Sequence, residues 1–321
     1  MTMGQPFLDG QRMDAAPPAG LFIVGADTGV GKTVVACAIA RLLANHGVDV
    51  GVMKPVETGC RMRKGQLFPA DGAALKAAAR SEVPLAAITS DLYRLPLAPY
   101  VAAQMAWRPV VNLGRVVQCF QAQRRQHAFM IVEGIGGLLV PLSARRDLID
   151  LILALDLPTL LVARSGLGTL NHVLLTLRHG SDRGVRFVGV VLNHTTSRQT
   201  LADKTNPAVL AARCALPVFS FPYFKQASAS GEDAIALALA HARRTPAKPA
   251  TQGLRQRVSQ RNLERNEKAE SFQQWLLHIV KKTAASIGRR TGETERMESG
   301  VVWNTLNVGK EEKAESCGGR I

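Results

Sequence analysis

Six short apolar runs recur along the chain, at residues 21–25, 48–54, 128–133, 158–163, 187–193 and 216–221. Each is a near-continuous stretch of Val, Ile, Leu, Phe and Met, which is the habit of strands buried on both faces. Between them, apolar residues return at three- and four-residue spacing against polar ones. That period predicts helices at 32–46, 71–79, 112–126, 147–155, 170–183, 207–213 and 231–243. Strands alternating with helices predict an α/β fold, a mostly parallel sheet covered by helices on both faces. Ligands of such sheets bind just past the carboxyl ends of the strands.

The pattern lapses after about Arg243. TPAKPATQG (245–253) reads as a linker, and only SFQQWLLHIVKK (271–282) beyond it has an apolar helical face. Residues 21–243 are therefore expected to form the folded domain. Residues 244–321 are expected to be a polar, basic, low-order extension, and residues 1–20, with three prolines, a disordered leader.

At 46% hydrophobic and 20% charged, the composition suits a globular core, and no uninterrupted apolar run of the ~20 residues a membrane span needs appears. Five scattered cysteines form neither a disulfide framework nor a metal-ligand spacing, which favours a reducing cytoplasm. The net charge of +15 raises the question of nucleic acid. Residues 241–321 hold 16 Lys/Arg against 9 Asp/Glu, and elsewhere the excess is spread without a dense basic stripe. A solvated surface with a basic tail accounts for it better than a nucleic-acid groove.

The chemistry begins at LFIVGADTGVGKT (21–33), where a strand breaks into a small-residue loop ahead of a helix. This is the setting of a phosphate-binding loop: backbone N–H groups cradle phosphate oxygens, Lys32 reaches the β/γ-phosphates and the Thr33 hydroxyl can sit on Mg²⁺. The second strand ends at Lys54, either a surface lysine or a cation reaching that loop. Asp71 stands at a helix start, either as an N-cap or as a carboxylate directed at Mg²⁺. The third strand, FMIVEGIGG, ends in Glu133 followed by glycines at 134, 136 and 137. A carboxylate there can hold Mg²⁺, and glycines allow backbone to approach a ligand closely.

In order along the chain, GADTGVGKT (25–33), KPVETG (54–59), VEGIGG (132–137) with Pro141-Leu142, GLGTLNH (166–172) and VVLN (190–193) resemble dethiobiotin synthetase. The resemblance covers roughly residues 20–240. It implies an ATP- and Mg²⁺-dependent cytoplasmic ligase, homodimeric, that closes a ureido ring from CO₂ and 7,8-diaminononanoate. Carried over residue by residue, it implies that Gly29, Val30, Gly31, Lys32, Thr33 and Val34 wrap the ATP phosphates. Thr33, Asp71 and Glu133 would hold Mg²⁺, and Lys54, with Lys32, would be catalytic. Gly134, Ile135 and Gly136 would line the nucleotide; Asn193, with His194, would read adenine, and Pro222, Tyr223 and Phe224 would flank it. Thr58 would touch the substrate, and Gly168, Thr169, Leu170 and Asn171 would open a helix holding its carboxylate. Gly29 departs from those members that carry an acidic residue there.

Partition-type ATPases of the same superfamily carry an extra lysine early in the loop, where this chain has Asp27. Amidoligases share the Asp-Thr loop but bring a glutaminase domain, which the short polar tail does not supply. A nucleotide-dependent binding protein using its basic tail is the alternative of another class. Truncation after about Arg243 separates the two, since an enzyme would retain turnover and a tail-driven binder would lose affinity.

Overall fold

A computed structural model describes residues 19–223, 245 and 271–291. Residues 1–18 of the leader, the expected helix 231–243, Phe224 and most of the tail lie outside the described residues, whereas Ala19 and Gly20, expected to end the leader, are buried and Gly20 opens the first strand. Six parallel strands form the central sheet: β1 Gly20–Gly25, β2 Val50–Met53, β3 Phe129–Glu133, β4 Thr159–Arg164, β5 Phe187–Asn193 and β6 Val218–Phe221. Their order is β6-β5-β4-β1-β3-β2. Every apolar run named above supplies one strand. The order reverses direction around β1, so its carboxyl end opens between strands whose connections leave to opposite sides.

Side chains along β1 alternate between two cores. Leu21 and Ile23 enter one, Phe22 and Val24 the other, as a two-residue period requires. The principal helices are α1 Lys32–Asn45, α2 Ala70–Ala78, α3 Leu113–Arg124, α4 Leu148–Leu155, α5 Thr169–Asp182, α6 Leu201–Arg213 and α7 Phe272–Thr291. Val35, Ile39 and Leu43 of α1, Leu75 of α2 and Phe272, Trp275 and Leu276 of α7 fill the first core. Phe120, Ile152, Val173 and Leu210, from α3 to α6, fill the second. Helices on both faces are thus observed. None among the described residues is long and apolar enough to cross a membrane.

Two differences from the sequence reading have clear causes. Helix α6 starts at Leu201, six residues before the expected 207. Thr200 and Asp203 form a reciprocal capping box there, and Pro207 lies inside the helix, where its missing N–H forfeits one bond. Between β2 and α2 the chain adds short strands too brief to show a period. Val56–Thr58 pairs with Asp91–Tyr93, and Arg61–Arg63 pairs with Gln66–Phe68 through a turn at Lys64-Gly65 with φ of 51° and 78°. A third small pair joins Pro141–Ser143 to Arg146–Asp147.

Candidate active site

The phosphate loop leaves β1 at Gly25 and is tied to its neighbours by backbone. Gly25 N–H donates to Gly136 O at 3.2 Å, and Ala26 N–H to Val162 O at 2.8 Å. Gly29 and Gly31 adopt φ of 72° and 89°. At Gly31 a Cβ would also stand 2.0 Å from Asn193 Nδ2, so no side chain fits. Asn193, buried at the end of β5, donates that amide to Val30 O at 2.9 Å and braces the loop from behind. Val34 is partly exposed on the first turn of α1.

Behind the loop the chain assembles a buried charge cluster. Lys54 is 3% exposed at the tip of β2 and Glu133 fully buried at the tip of β3. Lys54 Nζ donates to Glu133 Oε1 at 2.6 Å and to Gly134 O at 3.2 Å, and lies 3.3 Å from Asp71 Oδ2. Thr33 Oγ1 donates to the same Glu133 oxygen at 2.8 Å. Lys32 Nζ bonds Asp27 O at 3.2 Å. Burial, then repulsion from Lys54, lowers its pKa to about 8. Burial alone would lower that of Lys54, but Glu133 and Asp71 outweigh it and raise the pKa. The structure therefore brings Lys32, Thr33, Lys54, Asp71 and Glu133 together, and Lys54 is not a surface lysine.

Thr33, Asp71 and Glu133 present hard oxygen donors, which suit Mg²⁺. Glu133 Oε2 is buried without a hydrogen-bond partner, so the carboxylate that meets Lys54 and Thr33 through Oε1 keeps an unused acceptor oxygen for such a cation. Among the described residues no group of three or more His, Cys, Asp and Glu forms a dedicated metal cage. Mg²⁺ bound through few protein oxygens plus substrate phosphates needs none.

Of the other expected residues that are described, all but Thr58 stand past the carboxyl ends of the central strands. Gly134 N–H bonds Ile23 O, and Gly136 turns with φ of 59° beside half-buried Ile135. His194 follows Asn193, with its ring 3.7 Å from Asp203 Oδ1. Pro222 and Tyr223 are exposed past β6. Thr58 pairs with Tyr93 in the small parallel pair. Gly168, at φ 89°, opens α5; Thr169 is buried with Oγ1 unpartnered, Leu170 is half-buried and Asn171 exposed. A cavity runs between Ser165–Leu167, His194–Thr196 and Thr200–Asp203.

Sequence reasoning assigned no part to three residues that hold this machinery. Asn206 Nδ2 donates to Gly166 O at 2.7 Å and pins the loop before α5. Asp203 caps α6 beside that loop. Glu57 accepts the N–H groups of Asp71 and Gly72, each at 3.1 Å. Its pKa is raised by burial, against which those two N–H groups work. One signal for Glu57 was present: α2 is entered through Pro69, which has no side-chain oxygen to cap it.

The family described as an AAA domain matches residues 19–230. The chain is 42% identical over 201 residues to the ATP-dependent dethiobiotin synthetase BioD of Bacillus licheniformis, covering 62% of this chain and 83% of that one. It is 45% identical over 192 residues to the protein of that name from Anaeromyxobacter sp. strain K, covering 60% and 84%. With that from Thermodesulfovibrio yellowstonii it shares 37% over 228 residues, 68% of this chain and 95% of the relative. Overlap on that scale, over a domain whose phosphate loop backs onto a Lys54–Glu133–Asp71 cluster, places the chain in the ATP-dependent dethiobiotin synthetase family.

Proposed function

We propose that this protein uses ATP to join CO₂ to the two amines of 7,8-diaminononanoate, closing a ureido ring and yielding dethiobiotin, ADP and phosphate. The observation that carries the reading is the second buried lysine. A phosphate loop needs only Lys32, whereas Lys54, 3% exposed and held by Glu133 and Asp71, adds a fixed cation behind it. One substrate amine adds CO₂ to give a carbamate. Its oxygen attacks the γ-phosphorus as the bond to the ADP oxygen breaks, and the second amine then attacks the carbamoyl carbon and expels phosphate. Negative charge develops on phosphoryl oxygens in both later steps, so fixed cations at Lys32 and Lys54 lower the barriers electrostatically. No enzyme nucleophile is required, and Cys60, buried with its thiol pushed up to about 11, is suited to none.

Thr33, Asp71 and Glu133 would hold Mg²⁺, which when bound neutralises phosphate charge. Asn193 and His194, with Pro222, Tyr223 and Phe224, would frame adenine. The N-terminus of α5, at Gly168 to Asn171, would take the substrate carboxylate, and Thr58 would touch the substrate. The homodimer is carried over from the family resemblance, with the α5 N-terminus at its interface. Among the described residues Cys37, Cys60, Cys119 and Cys214 form no disulfide, which suits a cytoplasmic enzyme. The test is ADP release from purified protein with ATP and Mg²⁺. Release that requires both the diamine and bicarbonate is expected; release indifferent to the diamine would overturn the reading.

A further inference from the structure

Asp71 owes its place to a residue outside the charge cluster. Helix α2 begins after Pro69, whose backbone is extended at φ −80° and ψ 98° and which offers no capping oxygen. A helix start leaves N–H groups unpaired and carries a partial positive charge. Here the capping acceptor comes from fourteen residues upstream. Glu57, 6% exposed, lies three residues past Lys54 on the strand Val56–Thr58. Its Oε1 accepts Asp71 N–H and its Oε2 accepts Gly72 N–H. Gly72 is packed so closely that a Cβ would stand 2.1 Å from Thr89 Oγ1, which fixes the depth of the helix end. One stretch of chain thus grips α2 twice: Glu57 by its backbone, and Lys54 by the Asp71 carboxylate at 3.3 Å.

We propose that Glu57 is a positioning residue that keeps the Asp71 carboxylate turned into the metal shell by occupying the α2 N-terminus in its stead. Aspartate in a first helical turn is itself drawn to the free N–H groups and partial positive charge there. With those N–H groups filled by Glu57, Asp71 faces Lys54 instead, and the like charge of Glu57 disfavours its return. Removing the Glu57 carboxylate opens the helix end to Asp71 and withdraws a ligand oxygen. The inference rests on Asp71 being part of the Mg²⁺ shell.

The test is Mn²⁺ binding to the full-length, ADP-loaded protein, followed by electron paramagnetic resonance, for the parent, Glu57→Ala, Glu57→Gln and Asp71→Asn. Glu57→Ala should weaken Mn²⁺ binding by ~10-fold or more, as loss of an outer-shell partner does, towards the Asp71→Asn level. Metal-free ADP affinity should be unchanged. Glu57→Gln keeps one acceptor oxygen but turns an NH₂ on the second N–H, so it should fall between the two. Parental Mn²⁺ affinity in Glu57→Ala, with Asp71→Asn weakened, would overturn the positioning role alone. Parental affinity in Asp71→Asn would overturn the metal-shell reading and this inference with it. Should Glu57→Ala not fold, Glu57→Gln decides, and parental affinity there contradicts the proposal.

Discussion

Lys54 and Glu133 form a buried ion pair, and the value of such a pair depends on what remains when one partner goes. Lys54→Ala would leave a fully buried carboxylate without its cation, a loss of about 3–5 kcal/mol of stability. It should also abolish ring closure while sparing much ATP binding, because the phosphate loop is intact. Lys32→Ala should damage both. Calorimetric nucleotide binding beside substrate-dependent ADP release separates the two, and unchanged turnover in Lys54→Ala would remove it from the catalytic set. Lys32 carries a pH signature as well. With its pKa at about 8, it is losing its proton in the free protein just where bound phosphates would restore it. ATP binding above that pH should therefore take up protons, and affinity should fall as pH rises, by at most ~10-fold per unit from this group. Titrations in buffers of different ionisation enthalpy check it; no proton uptake at pH ~9 would contradict it. Lys54 and Glu133 were legible because each ends an apolar strand, at the edge where α/β sheets bind ligands. Glu57 was only half legible: Pro69 shows that α2 lacks a cap of its own, but nothing local says that the acceptor comes from a strand twelve residues upstream of that proline.

At the scale of elements, the continuous apolar runs gave away all six central strands. The three-residue strands around Thr58 and the hairpin at 61–68 stayed hidden, since so few residues carry no period. The α6 start was misplaced because Pro207 suggests a first turn, while the true signal was Thr200 with Asp203 three residues on. The apolar face at 271–282 was visible, but not where it docks. Phe272 and Trp275 pack on Phe219 of β6 with ring centroids 5.0 and 5.3 Å apart, and Trp275 lies over Gly189 of β5. Gln273 meets the ring of His46, the C-cap of α1. Helix α7 thus covers one face of the β5–β6 side of the sheet, and this changes the expected result of truncation. Removing residues 271–321 uncovers Phe219, and Trp275→Ala alone should cost ~3–5 kcal/mol. Yet α7 touches α1 at the end opposite Lys32, ~20 Å away along the helix. The truncated protein should therefore melt earlier but close the ring at low temperature. Thermal melts beside low-temperature turnover check this, and an unchanged melting temperature would mean that α7 contributes nothing to the core.

For the whole molecule, one sheet with a core on each face holds a phosphate loop at its centre, flanked by β3 with Glu133 and β4 leading to the 165–168 loop. That arrangement sets the nucleotide loop, the charge cluster and the α5 N-terminus along a single edge, as a reaction joining ATP to a long diamine requires. The α/β class, the edge and the loop could be read from strand–helix alternation, because each follows from local pattern. The bracing of one site loop by another, as Asn193 does for Val30, could not, since it links residues 163 positions apart. The most direct test of the account is to supply ¹³C-bicarbonate with 7,8-diaminononanoate, Mg²⁺ and ATP and to follow the product by mass spectrometry. The account predicts dethiobiotin carrying one ¹³C at the ureido carbon, formed one for one with ADP. Well-folded protein that binds ATP yet forms no labelled cyclic product would contradict it.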